Sequence, residues 1–87
     1  MNKKLLQRIV LNPAVMRGKP VIRGTRIPVD AIISRLADGM DEEGVLREFP
    51  HITKADVRAA LTYSAEVVRG EEISPLVLKW VKHAASG

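Results

Sequence analysis

Three features of this 87-residue chain predict a mainly α domain. Apolar residues recur at helical spacing from Val29 to Val68, start and stop signals cut that stretch into short helices, and strand-like alternation is confined to the N-terminal third. The predicted architecture is an N-terminal β-hairpin, or wing, on a trihelical, homeodomain-like or winged helix-turn-helix core, with a C-terminal helix after it.

The first elements are short. Ile9-Val10-Leu11 reads as a strand, and Asn12-Pro13 and Gly18-Lys19-Pro20 read as turns. Ile22-Arg23 and Arg26-Ile27 then mirror each other around Gly24-Thr25, which suits a two-residue type II′ hairpin with Gly at its first central position. In that register Ile22 and Ile27 share one face while Arg23 and Arg26 oppose each other on the other. Like charges directly opposed cost roughly 0.2–1 kcal/mol in a sheet, so the pair gains from a nearby anion such as a phosphate backbone. Two plainer readings stay open: both guanidinium groups are simply solvated, or Arg26 pairs with Asp30.

From Val29 the period changes. Val29, Ile32, Ile33, Leu36 and Met40 mark a helix near 29–38 that Gly39 stops. Asp41 is an N-cap followed by Glu42 and Glu43, where the helix dipole favours acids; this second helix buries Val45, Leu46 and Phe49 and ends before Pro50. Thr53 and Asp56 resemble a capping box and start a third helix over 53–69, with Val57, Ala60, Leu61, Ser64 and Val67 or Val68 as its buried stripe and Gly70 as its close. After Glu71-Glu72-Ile73, Ser74-Pro75 opens a fourth helix that carries Val77, Trp80, Val81 and Ala84 on one side.

Composition narrows the function. Only Phe49, Tyr63 and Trp80 are aromatic, too few for a platform that stacks single-stranded bases, whereas duplex DNA remains available. The net charge of +4 is unevenly spread: residues 1–29 hold seven basic side chains and no acid, while all ten acids fall in residues 30–72. A basic arm ahead of an acidic body points to phosphate contacts made by the arm. The chain has no cysteine and no long apolar run, and Gln7-Arg8 interrupts the apolar start, so a cytoplasmic protein is expected. His51 and His83 lie in different elements and no nucleophile neighbours a base, so neither catalysis nor a cofactor or metal is expected.

Two short helices broken at Phe49-Pro50-His51-Ile52 form a helix-turn-helix candidate whose second member would enter the major groove. That member's early residues off the buried stripe are Lys54, Ala55, Arg58, Ala59 and Thr62. Arg58 suits guanine and Lys54 suits phosphate or guanine. A trihelical core without DNA binding fits the same pattern.

Asn12-Pro13, the run Gly18-Lys19-Pro20-Val21-Ile22-Arg23-Gly24-Thr25-Arg26-Ile27-Pro28-Val29, and then Gly39, Leu46, Phe49-Pro50, Ile52-Thr53, Asp56-Val57 and Ala60-Leu61 resemble the domain family DUF433 over about residues 9–66. The Gly-Thr-Arg core carries most of the specificity. The resemblance implies a winged or homeodomain-like helix-turn-helix protein, often encoded beside a PIN-like ribonuclease and similar to VapB-type antitoxins of type II toxin-antitoxin modules. Phe49 stands where the family often has Tyr, and Gly44 where a better helix former is usual.

The expected organisation is a DUF433-like domain over 1–72 and a partner- or dimer-contact helix over 73–87. The DNA-contacting candidates are Lys19, Arg23, Gly24, Thr25, Arg26, Thr53, Lys54 and Arg58. Leu76, Val77, Trp80 and Val81 form a face that could dock on the body, seal a homodimer or enter a partner's groove. The expected function is a homodimeric DNA-binding autoregulator that neutralises a PIN-like toxin; the alternative is an interaction module that does not bind DNA.

Overall fold

The computed structural model describes residues 3–70, so the expected fourth helix with Leu76, Val77, Trp80 and Val81 lies outside the described residues. Within that range the order is α1 (Lys3–Leu6), β1 (Ile9–Leu11), β2 (Pro20–Ile22), α2 (Val29–Ala37), α3 (Glu42–Glu48) and α4 (Lys54–Arg69). The protein is mainly helical, with one small antiparallel pair of strands.

β1 pairs with β2 in the register Ile9 with Ile22, Val10 with Val21 and Leu11 with Pro20. This corrects the expected hairpin. Ile22 finds its main strand partner upstream, and the segment after Arg26 contributes only a single bridge, Val21 to Pro28. Val21 and Ile22 are buried, so β2 is the strand of the pair that faces the core, and Pro20 sits at its start, where a missing N–H is tolerated. The β1–β2 connection bends at Asn12, whose Oδ1 accepts from the Ala14 N–H at 2.9 Å. It then makes a left-handed turn through Met16, Arg17 and Gly18, at φ +50°, +58° and +81°.

The N-terminal run is not a loose arm. Lys3–Leu6 forms a helical turn against α4, and Leu6 packs on the core. Four residues with two lysines carry almost no periodicity, which is why no helix is expected there from sequence.

One core unites β2 with the three longer helices: Ile22, Val29, Ile32, Val45, Ile52, Val57, Ala60 and Tyr63 are buried together. α2 ends as expected at Gly39, in the left-handed region, with the Met40 N–H closing on the Arg35 carbonyl at 3.0 Å. Asp41 caps α3 by accepting from the Gly44 N–H at 2.7 Å. The two helices are clipped together by Arg35, whose Nε donates to Glu48 Oε2 at 2.9 Å while its guanidinium lies 5.8 Å from the Phe49 ring centroid. The Glu48 hydrogen bond raises the Arg35 pKa further above neutrality.

Gly44 corrects a sequence expectation. It looks like a weak point in α3, yet a Cβ there would stand 2.6 Å from Met40 Cγ, so the bare backbone is what lets Met40 cover the core.

Candidate nucleic-acid interface

The arginine-bearing tip is a tight four-residue loop whose shape is dictated by Gly24 and Thr25. The Thr25 N–H donates to the Ile22 carbonyl at 3.0 Å, which makes Ile22–Thr25 a turn with Gly24 in third place at φ +77°. Type II turns reserve that place for Gly because φ must be positive. The expected type II′ geometry, with Gly in second place, is therefore displaced by one residue. The cause is Arg23: its N–H donates to the Arg8 carbonyl at 2.7 Å and is not available to close a hairpin with Arg26.

Thr25 locks this loop from inside. Its Oγ1 donates to the Ile22 carbonyl at 2.7 Å and accepts from the Ile27 N–H at 3.0 Å, while the Ile22 N–H donates to the Ile27 carbonyl at 3.0 Å. Gly24 and Thr25 thus act as backbone shapers, and the two flanking arginines are what the loop presents.

Arg23 and Arg26 are exposed, and neither forms an ion pair among the described residues. They border a shallow hollow floored by Val10, Val15 and Val21. Arg23 also borders a second, polar hollow formed with Lys4, Gln7, Arg8 and Asp56. Lys4, Arg8 and Arg23 thus line one hollow with Asp56, beside the first turn of α4.

Within that hollow Arg8 Nη1 donates to Asp56 Oδ1 at 3.1 Å, and the other Asp56 oxygen accepts from the Thr53 N–H at 2.9 Å. Asp56 hence joins the N-terminal turn to the start of α4. Lys4, Gln7, Arg8 and Asp56 were not singled out as site residues by sequence, although the acid-free N-terminal run is a signal for the cations among them.

Lys19 lies apart from this cluster, with its Nζ 3.2 Å from Asp30 Oδ2 and both side chains more than half exposed. The partner of Asp30 is Lys19 and not Arg26. Exposed pairs of this kind contribute about 0–1 kcal/mol, so a phosphate can displace Asp30 from Lys19 at little cost.

On α4 the capping box is complete: Thr53 Oγ1 accepts from the Asp56 N–H at 3.3 Å, and Asp56 returns the bond. The Thr53 hydroxyl is engaged as a cap, so Thr53 sets where the helix begins. Lys54 and Arg58 are both exposed and share a stripe with Leu61, Ala65 and Val68, at positions i, i+4, i+7, i+11 and i+14. Two expectations are corrected. Ala59 is fully buried and Leu61 is 47% exposed, because the core claims the face bearing Asp56, Val57, Ala60, Tyr63 and Glu66; of the alternatives Val67 and Val68, Val67 packs on the core as expected while Val68 is 86% exposed. The outward stripe is cationic at its start and apolar at its end.

Among the described residues, no group of three or more His, Cys, Asp or Glu is placed to hold a metal ion. No helix among them is long and apolar enough to cross a membrane.

Residues 9–64 match the family described as "Protein of unknown function (DUF433)". A crystal structure of a DUF433 member protein from Anabaena variabilis superposes with a TM-score of 0.66 at 31% identity, covering 74% of this chain and 63% of that one. An uncharacterized protein of Sinorhizobium fredii is 33% identical over 63 residues, which are 71% of this chain but 28% of that protein. An uncharacterized protein of Archaeoglobus fulgidus is 65% identical over 26 residues, 30% of this chain and 72% of the relative. The chain thus spans little more than a quarter of the Sinorhizobium relative. The match over 9–64 includes the arginine loop and the start of α4.

Proposed function

The chain belongs to the DUF433 family, and from the cationic loop set against the start of α4 we propose that it binds double-stranded DNA. It acts as a homodimeric helix-turn-helix autoregulator and, as a VapB-like antitoxin, neutralises a PIN-like ribonuclease. The observation that carries the DNA reading is Arg23, shared between a hollow with Arg26 and a hollow with Lys4 and Arg8. Clustered cations repel one another, and a polyanion relieves that repulsion while releasing its own counterions.

In this reading Arg23 and Arg26 touch backbone phosphates or reach into the minor groove, and Lys19 joins them by exchanging Asp30 for a phosphate. Thr25 and Gly24 hold the loop rigid. Thr53 and Asp56 fix the start of α4, from which Arg58 addresses a guanine edge and Lys54 a phosphate or guanine. The protein supplies charge and shape, with no chemical step.

The antitoxin role rests on the family resemblance together with the segment carrying Leu76, Val77, Trp80 and Val81. A Trp on an apolar helical face is a strong anchor for a partner's groove, and Lys79 and Lys82 suit the carboxylates of a metal-dependent nuclease site.

A second reading, an interaction module without DNA binding, is favoured by the exposed Leu61 and Val68 at the far end of the α4 stripe. Fluorescence anisotropy separates the two. The DNA-binding protein prefers a duplex taken from its own upstream region over a random duplex of equal length, and Arg58→Ala reduces that preference; an interaction module shows no preference between them.

A further inference from the structure

One edge of β1 is paired with β2 and the other is open. The Arg23 N–H donates to the Arg8 carbonyl at 2.7 Å, and antiparallel pairs alternate between bonded and non-bonded, so Val10 and Val21 form the next bonded pair. Ile9 and Leu11 therefore hold the non-bonded places, opposite Ile22 and Pro20. Both partners agree with this: Ile22 directs its N–H and C=O to Ile27 and Thr25 on the far side of β2, and Pro20 has no N–H to give. The N–H and C=O groups of Ile9 and Leu11 thus point outward and have no backbone partner among the described residues. All three residues of β1 are partly exposed, and an edge of this kind accepts a further strand.

We propose that this edge docks an extended acidic segment of a partner protein, added antiparallel to β1 as a third strand. Charge selects the occupant. β1 lies within residues 1–29, which hold seven basic side chains and no acid. A second copy presenting the same strand would bring another such run against it, whereas an acidic segment is attracted. Alternation sets the pattern of that segment. Ile9 packs on the core together with Ile22, so segment residues paired with Ile9 and Leu11 fall on the core face and are apolar. Val10 and Val21 floor the hollow on the other face, which Arg23 and Arg26 border without an ion pair among the described residues, so the segment residue beside Val10 is acidic. Opposite Ile9 and Leu11 the segment forms two bonded pairs, each exchanging two backbone hydrogen bonds.

The edge supplies affinity through backbone groups, and the flanking cations supply preference for acids. Neither requires the chain to bind DNA, and no readout below involves DNA.

The probe is an N-acetylated, C-amidated heptapeptide that alternates valine and glutamate, titrated into the full-length protein and followed by amide NMR. The expected result is that the Ile9 and Leu11 amides shift and exchange more slowly, while the Val10 amide, already bonded across to β2, keeps its protection. N-methylation of the peptide's valines, whose N–H groups face β1, weakens binding several-fold, and N-methylation of its glutamates does not. Leu11→Pro also weakens binding several-fold, because it removes an outward N–H that the β1–β2 ladder does not use; proline is tolerated at such an edge, and circular dichroism checks the fold. The methylated peptides decide the matter without that variant. A heptapeptide with lysine in place of glutamate does not bind. Absence of shifts at Ile9 and Leu11, or equal binding by the valine-methylated peptide, which is charge attraction alone, would overturn the proposal. Slow exchange at both amides in the free protein together with a doubled mass would overturn it too and assign the edge to a second copy.

Discussion

Arg8 and Asp56, 48 positions apart in sequence, meet at 3.1 Å, and this contact ties the cationic N-terminal turn to the first turn of α4. Arg8 also supplies the carbonyl that receives the Arg23 N–H, so one residue positions the loop through its backbone and the helix start through its side chain.

Asp56→Ala removes a capping acceptor and the Arg8 partner together. Caps contribute about 1 kcal/mol and hydrogen bonds to charged groups about 1.5–3 kcal/mol, so a loss of roughly 2–3 kcal/mol is expected in urea unfolding. Arg8→Ala costs less, since Arg8 is about half exposed, and a double-mutant cycle gives favourable coupling between the two. Zero coupling would remove Asp56 from its joining role.

Gly44→Ala tests the close approach of Met40. Helix propensity alone predicts a gain of about 1 kcal/mol, whereas the overlap with Met40 costs roughly 1–3 kcal/mol, so net destabilisation is expected. In a Met40→Ala background the same substitution becomes stabilising. Urea midpoints of the four proteins measure both signs.

The two exposed cations of α4 are predicted to differ in kind. Arg58→Ala weakens binding to the specific duplex by roughly 1–3 kcal/mol with little effect on random DNA, as expected for a base-edge contact. Lys54→Ala weakens both duplexes alike if its partner is a phosphate. Competition binding with the two DNAs distinguishes these patterns.

Tyr63 sets an alkaline limit. Burial raises its pKa, so the folded protein keeps the phenolic proton over the range in which the unfolded chain loses it. Its contribution is complete below about pH 10 and is lost as pH rises beyond that value. Tyr63→Phe should flatten this part of the decline when urea midpoints are compared from pH 9 upward.

Much of this was legible from sequence, and the exceptions have physical causes. The three longer helices follow from apolar period and from caps at Asp41 and Thr53, which are local signals and were observed within a residue or two. The strand pairing is not legible because the Ile22 and Ile27 mirror is local and yields one hydrogen bond, whereas Ile9, farther away in sequence, brings a three-pair ladder. Leu61 lies off the buried face because a run of Val and Ala in α4 leaves the phase of the apolar stripe ambiguous; Tyr63 and Ala59 complete that face instead. Arg23, Arg26, Lys54 and Arg58 emerge exposed as expected, while the approach of Arg8 to Asp56 is a tertiary contact that no spacing rule encodes.

The salt dependence of duplex binding tests the central claim most directly. A dimer making about six phosphate contacts gives a log-log slope near −5, and Arg23→Ala with Arg26→Ala should weaken affinity and bring that slope toward zero. A double variant whose affinity and slope equal those of the wild type would contradict DNA recognition by the loop.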